Sequence, residues 1–190
     1  NVYIADATSN KIRMVPASSG TYFGQNMTAN SMYTIAGNGN PGYTGDTGVA
    51  TSATLFSPSG VAVDSAGHVY IADTSNHTVR MVAAASGTFF GVSMTANSIY
   101  TIAGRGTSGA TGDGGIGTSA KLNTPRGVAV DSAGNAYIAD SYNYKVRMVA
   151  ATAGTYFAQS MAVGKIYALS VTGASVFSGD GCSASAAALY

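Results

Sequence analysis

Short apolar runs separated by turn residues set the pattern of this chain. Gly60-Val-Ala-Val-Asp64 and Gly127-Val-Ala-Val-Asp131 are runs of small and β-branched residues, each ending in Asp-Ser-Ala-Gly. Such endings close tight turns through the Asp side chain and the conformational freedom of Gly. Each turn leads straight into a second run, His68-Val-Tyr-Ile-Ala-Asp73 or Asn135-Ala-Tyr-Ile-Ala-Asp140, and the pair predicts a β-hairpin. Val79-Arg-Met-Val82 then alternates apolar and polar, and Ile99-Tyr-Thr-Ile102 follows after a longer insertion. The expectation is four strands per unit. No window of helix length shows a 3.6-residue period, which argues against a helical repeat. Pro58 and Pro125 stand just before the first strand of their units, where no ladder donor is lost.

The units repeat without a slip. Asn1-Val-Tyr-Ile-Ala-Asp6 returns at His68 and again at Asn135, so the period is 67 residues (68 − 1 and 135 − 68). Ile12-Arg-Met-Val15, Val79-Arg-Met-Val82 and Val146-Arg-Met-Val149 keep the register, as do Gly20-Thr-Tyr-Phe23, Gly87-Thr-Phe-Phe90 and Gly154-Thr-Tyr-Phe157. The 190 residues hold a little under three copies. Four antiparallel strands repeated at a fixed period are the pattern of a propeller blade.

Residues 125–140, Pro-Arg-Gly-Val-Ala-Val-Asp-Ser-Ala-Gly-Asn-Ala-Tyr-Ile-Ala-Asp, followed by Val146-Arg-Met-Val149, resemble the NHL repeat. Through its copies the resemblance covers essentially the whole chain, although the unit here is longer than a typical family repeat. It implies an all-β propeller of four-stranded blades, commonly six in a ring, of which this chain holds a little under three. The expected divisions are a first blade at 1–37 lacking its first strand, a second at 58–104 and a third at 125–171. Linking loops are expected at 38–57, 105–124 and 172–190. The chain starts on Asn1 in the second strand of a unit, which reads as a piece of something longer. An arc of this size leaves strand edges open. Further blades beyond the visible ends are expected to cover them, with several chains completing a ring or polymer as the alternative.

The acidic residues bear on catalysis. The chain has no Glu, and its eight Asp fall into three repeat classes: Asp6, Asp73, Asp140; Asp64, Asp131; and Asp46, Asp113, Asp180. A general acid or base needs an environment that sets it apart, and here every carboxylate has a sibling in the same local sequence. Asp73 and Asp140 are expected to cap turns with Asn76 and Asn143, bridged by Arg80 and Arg147. Asp64 and Asp131 open the hairpin turns. Asp46, Asp113 and Asp180 are read as N-caps of short helical turns. Thr111-Gly-Asp113-Gly-Gly lacks the alternating carboxylates of a calcium loop, and Gly104-Arg-Gly-Thr-Ser-Gly109 lacks the Lys-Ser/Thr ending of a phosphate loop. His68 and His77 are read as solvent-facing loop residues. Cys182, the only cysteine, stands where the other copies have Gly48 and Gly115 and is read as drift. No Gly-x-Ser-x-Gly elbow is present. The reading is therefore no catalytic residue, no cofactor and no metal. Propellers similar to NHL proteins include lyases and lactonases, so a fragment of such an enzyme, with active residues elsewhere, is kept as a further alternative.

Composition adds to this. Charged residues make up 9 % of the chain and the formal net charge is +1, which gives no electrostatic footprint for nucleic acid. No apolar run approaches the ~20 residues of a membrane span. The Ser, Thr, Asn, Gly and Ala surface resembles secreted bacterial repeat proteins and points to an extracellular or cell-surface setting. Asn26-Met-Thr28 and Asn76-His-Thr78 match the glycosylation sequon. Deviations between copies mark the candidate binding surface: Arg105, Arg126, His77, Tyr142 and Tyr144, on the face that carries the blade-to-blade loops. Tyr and Arg are favoured anchors at interfaces. The aromatic pairs Tyr22-Phe23, Phe89-Phe90 and Tyr156-Phe157 are read as packing beneath the blades, with Met27, Met94 and Met161 as gap-fillers. The expected function is a non-catalytic binding or scaffold module for a protein or glycan ligand, the alternative being a subunit that polymerises with further copies of itself.

Overall fold

A computed structural model describes residues 1–170 and Ala184. Asp180, Cys182 and, Ala184 apart, the expected linking loop 172–190 lie outside the described residues. The first blade holds β1 (Val2–Asp6), β2 (Lys11–Val15), β3 (Gly20–Tyr22), β4 (Gln25–Met27) and β5 (Tyr33–Ala36). The second holds β6 (Gly60–Val63), β7 (Val69–Asp73), β8 (Thr78–Val82), β9 (Gly87–Phe89), β10 (Val92–Met94) and β11 (Ile99–Ala103). The third holds β12 (Pro125–Val130), β13 (Ala136–Asp140), β14 (Lys145–Val149), β15 (Gly154–Tyr156), β16 (Gln159–Met161) and β17 (Ile166–Ser170). Strands β6-β7-β8-β11 and β12-β13-β14-β17 form four-stranded antiparallel sheets, and β1-β2-β5 a three-stranded one. The fold is an all-β propeller of four-stranded blades. The insertions before the last strand of each blade are not plain loops: they fold as separate hairpins, β3-β4, β9-β10 and β15-β16.

The blades stack face to face, which explains the near-continuous apolar runs. Successive strand residues point to opposite faces. Val69 and Ile71 therefore join Ile12, Met14 and Ile35 of the first blade, while Tyr70 joins Ala136 and Ile138 of the third. A sheet covered on both sides has no solvent face to mark with polar residues, and all five residues of β7 are buried. Burying the side chains of one Val or Ile contributes roughly 1.5–3 kcal/mol, so each blade-to-blade layer is a main source of stability. The alternation in β8 does not mark a solvent face: Arg80 is fully buried.

The innermost strands meet closely. Ser59 Oγ donates to Arg126 O at 2.9 Å. A Cβ on Gly60 would stand 2.7 Å from that same carbonyl oxygen and 3.1 Å from Gly127 Cα. Only Gly lets β6 approach β12 this closely.

Candidate functional site

Two buried arginines organise the loop face. Arg80 Nη1 donates to Thr54 O at 2.8 Å and Nη2 to Thr44 O at 3.1 Å. Its Nε and Nη2 both reach Asp46 Oδ1, at 3.1 and 2.6 Å, and its Nη1 lies 3.7 Å from Asp73 Oδ2. Arg147 repeats the set with Lys121 O, Thr111 O, Asp113 and Asp140. Each arginine thus clamps the linking loop that precedes its own blade. This corrects the N-cap expectation for Asp46 and Asp113. The short 3-10 turns Ala50–Ser52 and Gly117–Ser119 follow Val49 and Ile116 with no side-chain cap, because both carboxylates are drawn to the guanidinium.

Asp73 and Asp140 serve the same frame. Asp73 Oδ1 accepts from Phe56 N at 2.8 Å, and Asp73 Oδ2 from Asn76 Nδ2 at 2.8 Å. Burial raises the Asp73 carboxyl to about 6, against the opposing pull of these donors and Arg80. Burial likewise raises Asp140. Asn76 Nδ2 also donates to Gly42 O at 2.7 Å, so the sequon at Asn76 is closed in the folded protein. Asp131 differs. Burial raises it, but donors from Asn135, Tyr137 and Ala133 together outweigh burial and hold it below the usual range. Among the described residues no group of three or more His, Cys, Asp or Glu is placed to hold a metal.

The histidines are not free loop residues, which is a second correction: His68 is buried, and His77, half-buried, is held by a backbone bond. His68 is 3 % exposed and its Nδ1 accepts from Ala84 N at 3.0 Å. Asn1 and Asn135 make the matching bond through Oδ1, to Ala17 N and Ala151 N, both at 2.9 Å. His77 Nδ1 accepts from Thr124 N at 3.0 Å, as Asn10 Oδ1 accepts from Ser57 N at 2.9 Å. An imidazole Nδ1 sits where an amide Oδ1 would, one bond beyond Cγ, so His replaces Asn as an acceptor. His77 is thus a strut between blades.

The remaining candidates divide. Arg126, Tyr142 and Tyr144 line one cavity of about 490 Å³ together with Ser141, Lys145, Ala139 and Val146. The Arg126 guanidinium lies 5.4 Å from the Tyr142 ring centroid, within cation–π range. Tyr142 and Tyr144 are set by the 3-10 turn Ser141–Asn143, which Asn143 ties to Asp140 Oδ2 at 2.7 Å and Gly109 O at 2.6 Å. Arg105 is exposed and turns to Thr107 Oγ1 at 3.1 Å; neither it nor His77 lines the cavity. The sequence reading missed Lys145 because Lys11 holds the same slot in the first copy, so it passed for a repeat position. On the second blade the corresponding place is covered by the start of β12: Thr74 Oγ1 donates to Pro125 O at 2.8 Å.

No helix among the described residues is long and apolar enough to cross a membrane. The NHL repeat family model matches residues 57–80 and 122–147, the first three strands of the second and third blades up to the buried arginine. These stretches are NHL repeats. Solved structures similar to this chain include an auxiliary nutrient binding protein from Bacteroides ovatus (TM-score 0.55, 25 % identity, covering 78 % of this chain and 34 % of that one). Another is a protein of unknown function from Bacteroides thetaiotaomicron (TM-score 0.51, 17 % identity, 72 % and 29 %). A third is an auxiliary nutrient binding protein from the same species (TM-score 0.47, 22 % identity, 72 % and 31 %). The chain therefore spans about a third of the length of the solved structures it resembles. No curated protein matches it.

Proposed function

We propose that the chain is a non-catalytic binding segment of a secreted or cell-surface bacterial NHL propeller, and that a protein or glycan ligand is held at Arg126, Tyr142, Tyr144 and Lys145. The observation that carries this reading is the 490 Å³ cavity with a stacked Arg–Tyr pair at its rim. Rigid aromatic and guanidinium anchors around a cavity supply most of the energy in binding surfaces. Two cations and no carboxylate line it, which favours an acidic group on the ligand. The likeness to an auxiliary nutrient binding protein supports binding over chemistry. The carboxylates support it too, since Asp46, Asp64, Asp73, Asp113, Asp131 and Asp140 each hold a scaffold bond. The test is an array of uronic-acid oligosaccharides, neutral oligosaccharides and acidic peptides, probed with the wild type and with an Arg126→Ala/Tyr142→Ala variant. An acidic ligand retained by the wild type and weakened at least tenfold in the variant supports the site. Equal binding of every acidic ligand by both overturns it.

One observation favours a second reading, polymerisation through open blade faces. Ala139 is exposed and Val146 half-buried on the third blade, whereas their counterparts Ala72 and Val79 are fully buried. Native mass spectrometry separates the two readings: ordered multimers of the 19.0 kDa chain support assembly, and a monomer that binds its ligand supports the module.

A further inference from the structure

A second kind of cleft recurs between neighbouring blades, at the opposite end of the strands from the Arg126 cavity. Between the first and second blades it measures about 300 Å³ and is lined by Asn1, Tyr3, Thr21, Tyr22, Phe23 and the Ser65-Ala66-Gly67 turn, with Ala84. Between the second and third blades it measures about 270 Å³. Every lining residue of the first cleft, moved by 67, lines the second: Asn1 becomes His68, Tyr3 becomes Tyr70, Tyr22 becomes Phe89 and the turn becomes Ser132-Ala133-Gly134. The aromatic wall comes from the inserted hairpins β3-β4 and β9-β10. The insertions therefore do more than pack beneath the blades. Phe90 packs and is 7 % exposed, while Phe157, with no described blade beyond it, is 66 % exposed; Phe89 stays half-buried on the cleft wall.

We infer that these clefts are repeated subsites for neutral sugar residues, one per blade junction. A pyranose ring has an apolar C–H face and a polar rim. The cleft opposes an aromatic side chain to a turn bearing hydroxyls, the mixture of apolar wall and few polar groups that small-ligand sites use. In the second cleft Asp64 and Asp131 contribute carboxylates, which accept hydrogen bonds from hydroxyls and repel a uronic acid. Each volume suits one sugar ring rather than a folded partner. Repetition at successive junctions supplies avidity that one shallow site lacks.

This inference does not depend on the Arg126 site, and its test separates the two. Cellotriose, chitotriose and mannotriose are titrated into the full chain and followed by saturation-transfer NMR and calorimetry. At least one is expected to bind at two sites of similar strength, with dissociation constants in the millimolar range. Tyr22→Ala and Phe89→Ala each remove half of the bound ligand, and together remove all of it. Ala133→Trp, on an exposed turn, fills the second cleft without touching the core and also halves the bound ligand. Arg126→Ala/Tyr142→Ala leaves it unchanged. Absence of binding by all three trisaccharides overturns the inference, as does undiminished binding to the folded Ala133→Trp and Tyr22→Ala variants.

Discussion

Replacing Arg80 with Ala removes the clamp on the first linking loop at its most buried point. The substitution strands the fully buried Asp73 and the carbonyl of Thr54, while Asp46, with a side chain 38 % exposed, regains water. Breaking a buried charge pair from one side costs about 3–5 kcal/mol. Two features place the expected loss in the lower part of that range, at about 3–4 kcal/mol. Asp46 is partly solvated, and Asp73, already raised to about 6, escapes by taking a proton. Urea unfolding followed by tyrosine fluorescence reads the loss; the chain has 12 Tyr and no Trp. Arg13→Ala is the internal control. Its Nε lacks a hydrogen-bond partner and its ion pair with Asp6 is long, at 3.7 Å, and half-open, so its loss is about 0–1 kcal/mol. An Arg80→Met/Asp73→Asn double variant should recover part of the loss, because no buried charge is left unpaired. Equal costs for Arg80→Ala and Arg13→Ala would refute the clamp.

Other outcomes follow from the same geometry. Asp73 is raised in the folded state, so its contribution is complete below about pH 4 and is lost as pH rises through about 6; Asp73→Asn should flatten that slope in stability measured from pH 4 to 7. Asp131 is lowered and runs the other way: its contribution is present above the ordinary carboxylate range and is lost as pH falls below it, and Asp131→Asn should blunt acid unfolding. Gly60→Ala drives a Cβ into Arg126 O and should lower stability by about 1–3 kcal/mol in the same urea assay. His77→Asn should be nearly neutral, since Asn10 fills that role in the first blade, whereas His77→Ala should cost about 1 kcal/mol by orphaning Thr124 N.

The strand order was legible because it rests on local signals. The Asp-Ser-Ala-Gly turns, the Val-Tyr-Ile runs and an unbroken 67-residue period fix the hairpins without reference to anything distant. Much of what escaped the sequence reading depends on contacts across 16 to 47 residues. Asp46 looks like a helix cap until Arg80, 34 residues on, is seen to take it. His77 looks like a loop residue until Thr124 is seen above it. The hairpins β3-β4, β9-β10 and β15-β16 were hidden by their brevity, three residues per strand. At the candidate site, comparison between copies picked out Arg126, Tyr142 and Tyr144, which the fold brings together, and also Arg105 and His77, which it places elsewhere. Deviation from the repeat marks where copies differ; it does not distinguish a ligand contact from an acceptor swapped for its equivalent.

The most direct test of the account is the ligand array with wild-type chain and the Arg126→Ala/Tyr142→Ala variant side by side. The account predicts an acidic ligand that the wild type holds and the variant loses by tenfold or more, with the melting profile unchanged. The same acidic ligands held with the same affinity by both proteins would contradict it.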